Sequence, residues 1–390
     1  MEIAGSLGDI GTLLPIAIAM ILVNGLDPLG LFLSIGVTYV ITGIYFGVTV
    51  PVQPMKVIGA YAIATSMNAS QILASSLLMC IFLSIIGLTG AIEVIKKYTP
   101  KPVVRGVQLS TGALLISGGI KFMIGATKFQ ALQNAAEPYL AVQSIGSIPI
   151  GIIIGIIGGF VTLLLLNSKK FPAGLVVVVG GLVLGFILGA RINFGNGNIG
   201  FNIPEFLPFA FPGKADFTFA LFALVLPQIP MTLGNAVLAY TDLSKDYFGE
   251  QSSKVSNRNA CLSMAIANFI SFCLGGMPLC HGAGGLAAHY RFGARTAGSN
   301  MMIGLIFIAL AIILGYNVVS FFNLLPMSIL GILLIFAGSQ LTLTIMDLDT
   351  RKGYFIATLM LGITLASNLA AAFIIGIVVA HLLKWKKLAV

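Results

Sequence analysis

The sequence predicts an all-α polytopic membrane protein, built as two inverted seven-helix repeats with a short half-helix as the third segment of each. Three observations predict it. The 390-residue chain is 58% hydrophobic and only 8% charged, whereas soluble domains carry about a quarter of their residues as charges. Apolar stretches of membrane-spanning length follow one another along the whole chain, fourteen in all when two interrupted ones are included. The interruptions, Pro51-Val52-Gln53-Pro54-Met55-Lys56 and Gly275-Gly276-Met277-Pro278-Leu279-Cys280-His281-Gly282-Ala283-Gly284-Gly285, occupy matching places in the two halves. Paired Gly/Pro breaks of this kind point to a midplane binding site between inverted repeats.

In order, the expected segments are 12–23, 31–50, 54–65, 72–91, 103–120, 148–166, 173–190, 217–240, 255–274, 278–290, 297–314, 324–341, 354–366 and 369–383. The third and tenth are short because proline cannot continue a helix but readily opens one, so each restarts at its proline, Pro54 or Pro278. Basic residues test this count. With the N-terminus inside, Lys96, Lys97, Lys101, Arg105, Lys169, Lys170, Lys245, Lys254, Arg258, Arg291, Arg295, Arg351, Lys352, Lys384, Lys386 and Lys387 fall on one side, and Lys121, Lys128, Arg191 and Lys214 on the other. Lys56 stays inside the membrane. Adding or dropping one span scrambles the asymmetry, so both termini are expected to be cytoplasmic, in the cell (inner) membrane. The net charge of +9 is thus a topology signal and no sign of nucleic acid. The halves echo each other at an offset of about 220 residues: Gly11-Thr12-Leu13-Leu14 with Met231-Thr232-Leu233-Gly234, and Pro54 with Pro278. Seven spans per half is an odd number, so the second repeat (217–390) is inverted relative to the first (1–190), and the polar stretch 191–216 becomes an external linker. No signal peptide and no soluble tail domain are expected. Cys80, Cys261, Cys273 and Cys280 lie in apolar segments without metal-ligand spacing and read as buried thiols.

Lys56 is the residue of greatest interest, since an ionisable group deep in a bilayer costs roughly 3 kcal/mol or more. Two half-helix N-termini, each carrying roughly half a positive charge, would join it in balancing a small doubly charged oxyanion. Snorkelling toward the cytoplasm is its plainer role. Asp9 has three readings: partner of Lys56, cap of the first helix, or carrier of a coupling proton. Gln228, Thr232 and Asn235 share a helix face by their spacing, either for a substrate or as interhelical glue. Thr12 is the first-repeat counterpart of Thr232. His281 opens the second half-helix, either as a packing residue or as a proton carrier. Gly282, Gly284 and Gly285 allow close backbone approach. Nothing in the spacing of Cys280, His281 and Asp9 supports an enzyme, and no nucleotide-binding loop supports an ATP-driven pump. No cofactor or metal is expected.

The strings Gly-Ser-Leu-Gly-Asp-Ile-Gly-Thr (5–12), Pro-Val-Gln-Pro-Met-Lys (51–56), Pro-Gln-Ile-Pro (227–230), Met-Pro-Leu-Cys-His-Gly-Ala-Gly-Gly-Leu-Ala (277–287) and Tyr-Arg-Phe-Gly-Ala-Arg (290–295) resemble, in order, the signatures of the molybdate transporter family of the sulfate-permease superfamily. The resemblance implies the seven-plus-seven fold shared with sulfate and uracil-type permeases, with a core domain (1–92 and 217–315) moving against a gate domain (93–190 and 316–390). It implies molybdate import by secondary transport, a homodimer, and site roles for Gln53, Pro54, Met55, Lys56, Cys280, His281 and Gly282. Unlike ordinary sulfate permeases, the chain shows no C-terminal regulatory domain, which is typical of the molybdate branch. Sulfate and tungstate, tetrahedral dianions like molybdate, are the nearest alternative substrates, and an anion channel is the alternative mechanism. A coupling proton or cation is left open.

Overall fold

A computed structural model of the chain describes residues 2–92, 100–168, 170–192 and 200–385. Lys96, Lys97, Lys169, Lys386 and Lys387 of the expected basic side, and 193–199 of the expected linker, lie outside the described residues. The longer helices are α1 (Ile10–Asn24), α2 (Pro28–Phe46), α3 (Lys56–Thr65), α4 (Ala69–Thr89), α5 (Lys101–Ile124), α6 (Ile150–Leu165), α7 (Ala173–Ile187), α8 (Lys214–Ser252), α9 (Asn257–Leu274), α10 (Ala283–Arg291), α11 (Ala297–Leu314), α12 (Met327–Thr342), α13 (Arg351–Ala366) and α14 (Leu369–Leu382). Among the described residues, four two-residue strands accompany them: β1 (Gln53–Pro54), β2 (Ser144–Ile145), β3 (Ile148–Pro149) and β4 (Leu279–Cys280). Among the described residues, α2, α4, α5, α8, α11 and α12 lie in the six helical stretches long and apolar enough to cross a membrane. The chain is a multi-pass membrane protein.

Local sequence explains the boundaries. The Asp27 carboxylate accepts from the Leu29 N–H at 3.1 Å, Pro28 takes the first helical position of α2, and Gly47 closes that helix at φ 77°, where only a residue tolerant of the left-handed region fits without strain. Asn68, Ser256, Thr296, Thr350 and Asn368 cap α4, α9, α11, α13 and α14 through their side-chain oxygens. α8 runs longer than the stretch 217–240 expected for it. Pro227 and Pro230 remove two N–H donors from its ladder, and the helix widens into π turns at Leu221–Val225 and Thr232–Ala239.

Both half-helices begin later than their prolines, a correction to the expected starts. Gln53–Pro54 and Leu279–Cys280 are extended and pair antiparallel, Gln53 opposite Cys280 and Pro54 opposite Leu279. Proline suits an extended edge and biases the residue before it to the β region. A broken helix inside a membrane must satisfy its backbone within the protein, and here the two breaks do so for each other. The Met55 N–H donates to the Pro278 carbonyl at 2.9 Å. Asn268 of α9 donates to the Leu279 carbonyl (2.8 Å) and accepts from its N–H (3.2 Å). Asn300 of α11 does the same for Val50, at 2.9 Å in each direction. Around this junction α2 packs on α11 and α4 on α9, while α5 packs on α12, α13 on α5, and α6 on α12.

Candidate functional site

The strand pair delivers two helix N-termini, those of α3 and α10, to one place. A cavity of about 380 Å³ opens beside them, between α1, α3 and α10 on one side and α6, α7 and α12 on the other. A second, of about 210 Å³, adjoins it; the two share Thr12, Lys56, Gly284, Ala337 and Gln340, and the second adds Gln108, Asn235 and Thr344.

Of the residues expected to form a site, Asp9, Thr12, Gln53, Lys56 and Asn235 line these cavities. Lys56 sits in the first turn of α3, half-buried, and its ammonium makes no ion pair or hydrogen bond among the described residues. Its charge is felt by the Asp9 carboxylate, but no direct ion pair with Asp9 and no bond to a carbonyl ties it down. Asp9 is the N-cap residue of α1, but its side chain does not cap. Its carboxylate instead accepts from Gln53 Nε2 at 2.6 Å. The other oxygen-bearing end of Gln53, Oε1, is buried with no donor. A buried carboxylate bonded this way is held in position beside the cavity rather than released to solvent.

The remaining expected residues build the walls. Gln228 Oε1 accepts from the N–H groups of Val57 and Ile58 at 3.0 and 3.3 Å, and Gln228 Nε2 donates to Thr232 Oγ1 at 2.9 Å. These two side chains thus close the N-terminus of α3 and leave only Asn235, of the three on that face, in the cavity. Pro54 lies in β1, and Met55 is the N-cap residue of α3, buried in the core. Cys280 Sγ rests 3.7 Å from the Pro54 carbonyl. The fully buried His281 ring donates from Nδ1 to the Pro51 carbonyl at 2.9 Å, and its Nε2 lies 2.8 Å from Ser263 Oγ. With both nitrogens occupied, the ring fastens the first break to α9. Gly282 is the N-cap residue of α10, and a Cβ there would collide with Gln53 Oε1.

α10 differs from α3 at its start. The N–H groups of Gly285 and Leu286 bond back to the Gly282 carbonyl, at 3.0 and 3.2 Å, while those of Ala283 and Gly284 have no partner among the described residues. Helix N-termini with open donors attract anions, so the two ends are not equivalent: α10 leaves more donors open than α3, and Lys56 lines the same cavity as Gly284. Sequence reasoning missed Asn268 and Asn300, which hold the breaks, and Gln340 and Gln108, which line the cavities. The signal was present as single carboxamides inside apolar helices, a pattern shared by packing and pore-lining residues alike. At the far edge of the second cavity, Gln108 Oε1 accepts from Arg105 Nη1 (2.7 Å) and Thr344 Oγ1 (3.0 Å), and Arg105 also pairs with Asp347.

The family described as "Molybdate transporter of MFS superfamily" matches residues 1–115 and 220–341. The chain belongs to the molybdate transporter family. Molybdate transporter 2 of Arabidopsis thaliana is 32% identical over 99% of this chain and 88% of that protein, and Molybdate transporter 1 of Chlamydomonas reinhardtii is 28% identical over 97% and 90%. Solved structures with a similar fold include the transmembrane domain of the cyanobacterial bicarbonate transporter BicA (TM-score 0.67, 15% identity, 97% of this chain and 96% of that one). The murine Solute Carrier 26 family member A9 anion transporter, in its inward-facing state, gives TM-score 0.67 and 14% identity over 98% of this chain and 68% of that one. These likenesses show the fold alone. They agree with the sulfate-permease type of fold expected from the resemblance, although the family's description carries the name of a different superfamily.

Proposed function

We propose that this protein is a secondary transporter that imports molybdate, a tetrahedral oxyanion, by alternating access of a core domain against a gate domain. The observation that carries the reading is the meeting of an unpaired Lys56 ammonium with the open N-terminus of α10 in one cavity. Charge-assisted donors arranged around a small volume recognise an oxyanion and reject a cation. The relatives are named as transporters of molybdate, and none as an enzyme. The site residues are Lys56, Thr12, Gln53, Asn235 and the α10 backbone, with Asp9 on the wall and Gln228, Thr232, Pro54, Met55, Cys280, His281 and Gly282 positioning them.

A fourteen-segment inverted repeat is supported by the packing pattern. Advancing every helix by seven and wrapping round carries the α2–α11 contact onto α9–α4, carries α13–α5 onto α6–α12, and returns α5–α12 to itself. The cavity lies between residues of the expected core, 1–92 and 217–315, and of the expected gate, 93–190 and 316–390, the place where a rocking motion would expose and occlude a ligand. It reaches Arg291, Pro172 and Leu166, next to the basic residues of the side assigned as cytoplasmic, which favours an inward-facing form with both termini inside the cell membrane. The working unit is taken to be a homodimer.

Uptake into proteoliposomes tests the proposal. Molybdate uptake should saturate, be competed by tungstate and more weakly by sulfate, and be indifferent to uracil. Non-saturating flux would favour a channel, and sulfate preferred over molybdate would reassign the substrate.

A further inference from the structure

Resting on the oxyanion reading above, the geometry points to Asp9 as the carrier of a proton taken up with the anion, and to the Gln53 carboxamide as the switch that links the two. Three observations carry this. The Asp9 carboxylate lines the cavity that holds Lys56 and the α10 N-terminus, yet forms no ion pair with Lys56. Its bond is to Gln53 Nε2, 2.6 Å away. Gln53, 1% exposed, leaves its Oε1 without a donor and turned toward Gly282 at the start of α10, with Asn235 Nδ2 on the same side.

Charge balance comes first. Lys56 supplies one positive charge and the open α10 terminus roughly half of another, but an ionised Asp9 removes a full unit from the same wall. The carboxamide of Gln228 already occupies two donors of α3, so that end adds little. An ionised Asp9 thus leaves the site well short of balancing a dianion, and a protonated Asp9 brings it close.

Hydrogen-bond polarity makes the link specific. An ionised carboxylate only accepts, so it fixes Gln53 with Nε2 toward Asp9 and the acceptor Oε1 toward the α10 end. An acceptor there opposes an anion. Once a proton from the bulk solution forms an O–H bond on Asp9, that group can donate to Oε1. The carboxamide then turns over and presents Nε2 as a donor on the Gly282 side. The proton leaves to the opposite compartment when the anion is released and the carboxamide turns back. The titratable and charged groups that face Asp9 are Lys56 of α3, Tyr39 of α2, Cys280 of β4 and, along the cavity, Arg291 of α10. Tyr39 donates to the Val52 carbonyl, and Asp9 is the carboxyl group among those lining this cavity.

By linkage, an anion that binds the protonated form must draw protons in as it binds. The test titrates the purified protein, in weakly buffered solution near neutrality, with sodium molybdate and separately with sodium sulfate, reading proton uptake with a pH indicator alongside bound anion. The parent should take up close to one proton per molybdate, and its affinity should fall by up to about tenfold per pH unit as pH rises. In Asp9→Asn, whose carboxamide mimics the protonated acid, any remaining binding should proceed without proton uptake and no longer vary with pH. Molybdate bound by the parent with no proton uptake and a flat pH profile overturns the inference while leaving the molybdate reading intact, as does unchanged proton uptake by Asp9→Asn. Proton uptake with sulfate and none of either with molybdate would support the inference and overturn the substrate instead.

Discussion

Lys56→Gln is expected to bring molybdate uptake close to background, and Lys56→Arg to retain part of it. The ammonium is the one formal positive charge facing both cavities and makes no hydrogen bond or ion pair among the described residues, and the buried Asp9 carboxylate that feels its charge keeps its bond from Gln53 when it is removed. A hydrogen bond to a charged group contributes about 1.5–3 kcal/mol, which corresponds to a loss of affinity of about tenfold to a hundredfold. The α10 terminus would still hold the anion weakly. Arginine keeps the charge, but its broad planar fork replaces a compact ammonium, so geometry reduces the rate. Uptake assays with thermal unfolding of each variant in detergent check the result. Parent-like affinity in a folded Lys56→Gln protein would make the lysine structural.

The second large effect separates two neighbouring glycines. At Gly282 an added Cβ would overlap Gln53 Oε1, while at Gly284 it would meet nothing within 4 Å. Gly282→Ala should therefore force β1 and β4 apart, destabilise the protein by about 1–3 kcal/mol as overpacking does, and abolish uptake by displacing Gln53. Gly284→Ala should leave the melting temperature near that of the parent, yet weaken molybdate binding about tenfold, because its methyl group enters the space beside an open N–H. Thermal melts and binding measured on the same preparations decide between them. Equal melting temperatures for the two variants would contradict this description of the junction.

Much of this arrangement was legible in the sequence. Pro54 and Pro278 announced the breaks because proline interrupts a helix wherever it falls inside one, and Lys56 stood out because its depth makes it costly. What the prolines could not show was that the breaks pair with each other. Strand pairing joins residues more than two hundred positions apart, and a two-residue strand has no periodicity to read. That pairing is why the half-helices begin at Lys56 and Ala283 rather than at their prolines. The spacing of Gln228 and Thr232 placed them on one face, yet it could not tell a ligand from a helix terminus as their partner. Asn268 and Asn300 look no different in sequence from Asn235: each is a carboxamide in an apolar helix. Only the fold distinguishes the two that bond to a broken backbone from the one that faces the cavity. Asp9 carried three readings, and its bond to Gln53 in place of a cap or a pair with Lys56 depends on a side chain far along the chain.

Locating a bound tungstate by its anomalous scattering, in crystals of the protein, tests the central claim most directly. The claim predicts the anion between α3 and α10, within hydrogen-bonding distance of Lys56 Nζ and of the Ala283 or Gly284 N–H. An anion held instead against the gate helices α5, α12 and α13, with the α10 terminus empty, would contradict it.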